Sequence, residues 1–276
     1  MNSKQFRDKV KAGKKLAQEK KSGNSAKESE DLLAKTPGEE SEEEIKIDFT
    51  FCDSRGEDDE MWIRTLLQKG WTGKCVLQNE DAELRKLGKA ISEQVVCGTF
   101  VKTEEEDAIY AFMTVLSAGE HMLPSLLSKL PASTGQRLGW LVREKIVNIP
   151  EDTTYPLLDC LVQDLKHAET DDYLVFDSII ILAPCFKLNQ QQDDDGQVTK
   201  KKKKQRLVAD SQAVDYCLYE DAVFANAATS STLVQFPKPQ VADDVDEMPD
   251  TFPLFCNALV LTKQAFVDTV KSLQGI

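Results

Sequence analysis

The 276-residue chain carries 47 Asp and Glu against 34 Lys and Arg, a formal net charge of -13, with two histidines and seven cysteines. Such an acidic excess is a poor match to a polyphosphate, whose binding is driven by Lys and Arg displacing counterions, and it suits a basic protein partner instead. No apolar run reaches the 18 or more residues that span a bilayer, and no hydrophobic segment suits a secretory signal, so a soluble protein that is not secreted is expected.

The charges come in opposed blocks. Lys4, Arg7, Lys9, Lys11, Lys14, Lys15, Lys20 and Lys21 are basic, whereas residues 28 to 60 are strongly acidic. Like charges in a block repel and stay solvated, which predicts a disordered tail over 1–44 and a single domain over 45–276. Ile45, Ile47, Phe49 and Phe51 alternate with polar residues, the period of a half-buried strand. Asp58 or Asp59 is placed to cap a helix bearing Met61, Trp62, Leu66 and Leu67 and ending at Gly70. Leu84, Leu87, Ile91 and Val95 repeat at helical spacing. Thr103 with Glu106 has the form of a capping box, and residues 108 to 119, apolar nearly all round, then read as a buried helix. Pro124 and Pro131 punctuate a further helical stretch.

Leu138, Leu141, Val142 and Ile146 also follow helical spacing, up to a stop at Asn148, Ile149 and Pro150. A second helix starts around Pro156 and carries Leu157, Leu158, Leu161, Val162 and Leu165 on one face. From Tyr173 the composition turns to β-branched and aromatic residues. YLVFDSIIILAPCF, VDYCLY, STLVQF and PLFCNALVLT read as strands, so the second half is expected to supply most of the sheet. The polar stretch 189–206 lies between the first two as a mobile hairpin loop. A last helix from about Thr262 turns Phe266, Val267, Val270 and Leu273 to the core. Helices first and a mostly antiparallel sheet afterwards define an α+β domain of three-layer α/β/α type.

A collinear set of motifs then resembles the BCCIP family. It comprises acidic Glu39 to Glu44, EEIKIDFTF at 43 to 51, an Asp-rich turn before IRTLLQ at 63 to 68, and the leucines and charged pair that lead to Val147–Pro150. It continues with YLVFDSIIIL at 173 to 182, the lysine run at 200 to 204, YEDAVF at 219 to 224, and PLFCNALVL before the last helix. The resemblance covers about residues 39 to 276. It implies a fold similar to the GCN-five-related N-acetyltransferases without their catalytic motifs. It further implies a nuclear chaperone and transport adaptor for a basic large-subunit ribosomal protein of L twenty-three type in ribosome biogenesis. Roles in the cell cycle and DNA repair are secondary.

Residue chemistry favours no enzyme. Acetyltransferases of that fold hold coenzyme A pyrophosphate with Q/R-x-x-G-x-G/A at a helix start. The nearest match, Gln136, Arg137, Leu138, Gly139, Trp140 and Leu141, has leucine where the phosphate needs a small residue, so Gly139 reads as a packing glycine and Leu141 as core. A coenzyme A-dependent N-acetyltransferase is the alternative reading. His121 and His167 lack companions at zinc spacing, Asp193 to Gly196 lacks the calcium-loop frame, and neither G-x-x-x-x-G-K-[ST] nor G-x-S-x-G occurs. No metal or cofactor is expected. The cysteines (52, 75, 97, 160, 185, 217, 256) are odd in number without a C-x-x-C pair, which reads as reduced thiols of an intracellular protein. Cys160, Cys185, Cys217 and Cys256, inside apolar segments, read as buried small hydrophobes of the core.

For capture of a basic client the acidic candidates are Glu39, Glu40, Glu42, Glu43, Glu44, Asp48, Asp53, Glu57, Asp58, Asp59 and Glu60. Lys200, Lys201, Lys202, Lys203 and Lys204 with Arg206 form a compact cationic patch read as a nuclear import signal, hence a nuclear protein that shuttles to the cytoplasm with the import machinery as a second partner. No aromatic residue lies in that run to stack bases, so neither sequence-specific nucleic acid nor a membrane is an expected partner.

Overall fold

A computed structural model describes residues 48 to 103, 107 to 130, 137 to 146, 149 to 170, 174 to 187, 214 to 237 and 255 to 275. The chain divides into two compact units, Met1–Phe49 and Thr50–Ile276, and apart from Asp48 and Phe49 the described structure belongs to the second. The tail 1–44 and the stretch 189–206 lie outside the described residues.

Among the described residues eight strands form one mixed sheet: β1 (Phe49–Cys52), β2 (Gly98–Thr103), β3 (Ala111–Ser117), β4 (Leu138–Lys145), β5 (Ser178–Lys187), β6 (Val214–Tyr216), β7 (Ser230–Gln235) and β8 (Phe255–Thr262). Their order across the sheet is β1-β2-β3-β4-β5-β8-β7, with β6 also on β5. The described pairings are antiparallel except β4 with β5, which run parallel over Leu138–Leu141 and Ser178–Ile181. Between the longer strands lie α1 (Glu57–Lys69), a π-helical turn (Thr72–Val76), α2 (Asp81–Glu93), the single turns α3 (Ala118–His121) and α4 (Pro124–Leu127), α5 (Thr154–Thr170), α6 (Tyr219–Ala227) and α7 (Lys263–Ser272).

The layers follow from side-chain parity, since successive residues of a strand point to opposite faces. Phe100, Phe112, Leu116, Trp140, Val142, Ile180, Leu182 and Ala258 share one core with Ile63, Leu67, Leu84, Leu87 and Ile91 of α1 and α2. On the other face, α5, α6 and α7 pack on β2, β3, β5 and β8 and on one another, with Phe224 stacked on Phe266 at 5.4 Å. Thr262 caps α7 by accepting from the Ala265 N–H at 3.1 Å. The domain is α+β in three layers with a mostly antiparallel sheet, as its composition leads one to expect.

Two segments depart from the helical reading. AFMTVLS of 111 to 117 is strand β3 and LGWLVREK of 138 to 145 is strand β4, so four of the eight strands among the described residues precede the β-rich stretch that begins at 173. Both are central strands covered on each face. Every residue of β3 but its last is buried, and β4 is buried from Leu138 to Val142. A strand apolar on both faces loses its alternation, and Leu138, Leu141 and Val142 then match a helix repeat equally well. Thr103 accordingly ends β2 instead of capping a helix. Pro156 is the third residue of α5, after a 3-10 turn at Glu151–Thr153. Gly139 has a packing role: a Cβ there would stand 2.6 Å from Val115 Cγ1 and 2.9 Å from Phe176 Cγ.

Candidate functional site

The acidic candidates separate by exposure. In the first turn of α1, where carboxylates also favour the helix dipole, Glu57 and Asp58 are exposed and Glu60 is half-buried. Asp53 is half-buried and Asp48 exposed. Asp59 turns inward instead. It is 2% exposed, as is Lys102 of β2, and the Lys102 ammonium donates to Asp59 Oδ1 at 2.5 Å. Asp59 Oδ2 accepts the Arg55 backbone N–H at 2.7 Å. An acid in this internal pair cannot meet a client, which removes Asp59 from the capture set. Helical phase explains it: Asp59 lies four residues before Ile63 and shares its buried face. Glu39, Glu40, Glu42, Glu43 and Glu44, with Lys200, Lys201, Lys202, Lys203, Lys204 and Arg206, lie outside the described residues.

The sheet opens where β4 and β5 part. β4 remains paired with β3 through Lys145 but leaves β5 after Leu141, while β6 takes up the same edge of β5 from Cys185 onward. A cleft of about 440 Å³ lies in the gap, walled by Trp71, Trp140, Leu157, Leu182, Ile146 and Phe186. An adjoining cavity of about 520 Å³ shares Lys145, Thr154, Cys217, Leu218 and Glu220 with it and adds Glu151, Asp152 and Tyr219. Both volumes suit a ligand or peptide segment.

Consecutive residues of β4 project to opposite faces here. Glu144 Oε1 accepts the Thr72 backbone N–H at 2.7 Å and so anchors the start of the π-helical turn. Its carboxylate packs so closely on Gly70 that a Cβ there would lie 2.0 Å from Oε2. Gly73 is equally constrained, since a Cβ would meet the Leu67 carbonyl oxygen at 2.0 Å. Burial pushes Glu144 from the ordinary 4.5 up to about 7, against the opposing pull of the Thr72 hydrogen bond and of Arg143. The native state therefore holds that proton more tightly than the unfolded chain. Stability from this group is fully present below about pH 4.5 and is lost as pH rises through about 7. Glu144→Gln will flatten that slope, and melting temperatures measured from pH 4.5 to 7 will show the variant gaining on its parent as pH rises.

On the opposite face the Arg143 guanidinium bonds Glu220 at 3.3 Å and, at closer range, Asp221, both in the first turn of α6. Burial raises Asp221 to about 6 even beside Arg143, and its Oδ2 is buried without a hydrogen-bond partner. This clamp ties the β4 wall of the cleft to α6.

Nucleophile and metal chemistry find little footing among the described residues. Burial pushes the Cys75 and Cys185 thiols up to about 12 and raises Cys256 as well, which suits packing and not attack. Cys160 is only half-buried and Cys217 is exposed, contrary to the reading of both as core. No three His, Cys, Asp or Glu of the described residues converge as metal ligands, and no described helix is long and apolar enough to cross a membrane. Arg137 to Leu141 run into and along the start of β4, not across a strand-to-helix turn, so the near-match to a pyrophosphate motif has no helix N-terminus behind it.

The cleft escaped sequence reasoning. Of four exposed large apolar side chains among the described residues, Ile146 (36%) and Phe186 (37%) line it and Tyr219 (61%) lines the adjoining cavity. In sequence each merely ends or follows an apolar run. Only the fold places the three around two adjoining cavities.

The described domain is a three-layer α+β fold with an opening where the parallel strands β4 and β5 part and an acidic first turn on α1. The BCCIP family model matches residues 44–130 and 120–224, and the chain belongs to that family. It is 25% identical over 156 residues to the Protein BCCIP homolog of Arabidopsis thaliana, covering 49% of this chain and 46% of that one. To Protein BCP1 of Yarrowia lipolytica it is 26% identical over 157 residues, covering 48% and 50%. The chain thus spans about half the length of the curated relatives it matches. The crystal structure of BCP1 from Saccharomyces cerevisiae superposes with a TM-score of 0.54 at 18% identity, over 87% of this chain and 93% of that one, a likeness of fold.

Proposed function

We propose that this chain is a non-catalytic, nuclear client-holding protein: a chaperone and transport adaptor for a basic large-subunit ribosomal protein of L twenty-three type. Membership of the BCCIP family suggests the client class, and one observation carries the reading. The chain has 47 acidic against 34 basic residues, with Glu57 and Asp58 exposed in the turn that opens α1. A ribosomal protein free of RNA exposes Lys and Arg, and an acidic partner holds those charges until RNA competes for them. Lys200 to Lys204 with Arg206 would direct import.

Reversal of Glu39, Glu40, Glu42, Glu43 and Glu44 to lysine tests the reading, because surface charges set the rate of encounter more than the rate of escape. Surface plasmon resonance with the purified client should show association slowed about tenfold at low salt and the difference shrinking at high salt, as expected for screened charges. More client should also precipitate. Equal association rates and equal client solubility would reduce the tract to a solvated linker, and absence of any binding by the unaltered chain would refute the client.

A further inference from the structure

We infer that the cleft where β4 parts from β5 is a strand-addition site that receives an extended segment of a basic partner protein. This rests on the client-holding reading and adds to it a second contact, on the folded domain instead of the acidic tract.

Backbone register supplies the first argument. The Ile146 N–H donates to the Tyr110 carbonyl at 2.9 Å and so points toward β3. Hydrogen-bonding residues alternate along an antiparallel strand, so Glu144 and Val142 also direct their backbone groups toward β3. Arg143 and Lys145 then direct theirs the other way, across the cleft, where among the described residues no strand pairs with them because β5 pairs only as far as Leu141. Opposite, the matching edge of β5 is filled by β6, and the Cys217 N–H donates to the Pro184 carbonyl at 3.0 Å. One free edge thus faces a space wide enough for a peptide, in the interior of a sheet and not at its margin. Free edges are templates for a further strand, and proteins blunt them unless they are used.

Side chains supply the second argument. Ile146 and Phe186 are exposed at the cleft and Tyr219 at the adjoining cavity, and among the described residues Met61 alone is a further exposed large apolar side chain. A gathering of that kind marks an interaction surface. Charge selects the occupant. Glu220 is already paired with Arg143, whereas Glu151 and Asp152 stand exposed at the rim of the adjoining cavity and offer carboxylates to a cationic occupant. An extended segment alternating apolar and cationic residues fits: one parity meets the apolar wall and the other the carboxylates. The exposed acids of α1 begin that 13-residue helix, and the cleft lies at its far end beside Lys69 and Gly70, roughly 20 Å away. A single client can therefore engage both, and the second contact becomes intramolecular once the first is made.

The test uses the full chain and an array of overlapping ~12-residue peptides covering large-subunit ribosomal proteins, a length sufficient for strand addition. Peptides alternating apolar and basic residues should bind, and the double variant Ile146→Asp, Phe186→Asp should lose at least ~10-fold in affinity, the effect of removing two exposed apolar anchors. Its melting temperature should stay near that of its parent, both side chains being already about a third exposed. Hydrogen exchange should show the bound peptide protecting the amides of Arg143 and Lys145, which a contact through side chains alone would leave unprotected. Binding that ignores the double variant, protection confined to α1, or an array with no binder would overturn the strand-addition site. If the intact client binds while the cleft fails these tests, the client-holding reading survives without it. If peptides bind and protect β4 while the intact client does not, the cleft survives and the client is wrong.

Discussion

Replacing Lys102 with alanine will destabilise the domain by about 3–5 kcal/mol, because it strands the carboxylate of Asp59 in the interior without the ammonium that pairs with it. The pair joins the first turn of α1 to the inner end of β2, so its loss also frees the contact that docks the helix. A control separates charge from packing. Exchanging both partners, Lys102→Met with Asp59→Leu, removes the lone charge and should recover most of the loss, since a buried ion pair is often no more stabilising than apolar groups of similar volume. Urea unfolding of the two single variants and the double variant completes the cycle. Near-additive losses would show that the two charges do not depend on one another. Asp59 is expected to leave client association untouched, in contrast to the reversed tail acids, because nothing of its carboxylate reaches the surface.

Arg143→Met should cost about 3 kcal/mol by the same logic, leaving Glu220 and Asp221 adjacent and buried with no cation between them. The defect carries a pH signature. Asp221 is already raised to about 6 by burial, and without the guanidinium its carboxyl will hold its proton to higher pH still. A group with a raised native pKa stabilises below its unfolded value and loses that contribution as pH rises, so the variant should approach its parent near pH 4 and fall behind through pH 6 and above. Thermal melting at several pH values reads this directly, and a deficit independent of pH would mean that Arg143 acts through packing alone. The same substitution loosens the β4 wall from α6, which should weaken peptide binding at the cleft even where the domain remains folded.

The parts of this protein legible in sequence are those where local chemistry decides. Outer helices such as α2, with Leu84, Leu87 and Ile91 on one face, and the last helix behind its Thr262 cap, declare themselves because one side meets water. Strands β5, β7 and β8 follow from β-branched composition. By contrast, β3 and β4 lie between two helical layers, and water leaves no polar alternation on them. Among the acidic candidates, composition predicts a negative face, yet only helix phase tells that Asp58 faces solvent and Asp59 faces Lys102.

Sequence by itself determined the acidic excess, the opposed charge blocks and the family motifs, because these are counts and orders that need no folding. The cleft needed tertiary structure. It exists because β4 leaves β5 after Leu141 while β6 takes over at Cys185, a change of partners between strands distant in sequence. Ile146 and Phe186 line it and Tyr219 the cavity beside it, though far apart in sequence, and Glu144 and Arg143, neighbours in sequence, part to opposite faces because a pleated strand alternates.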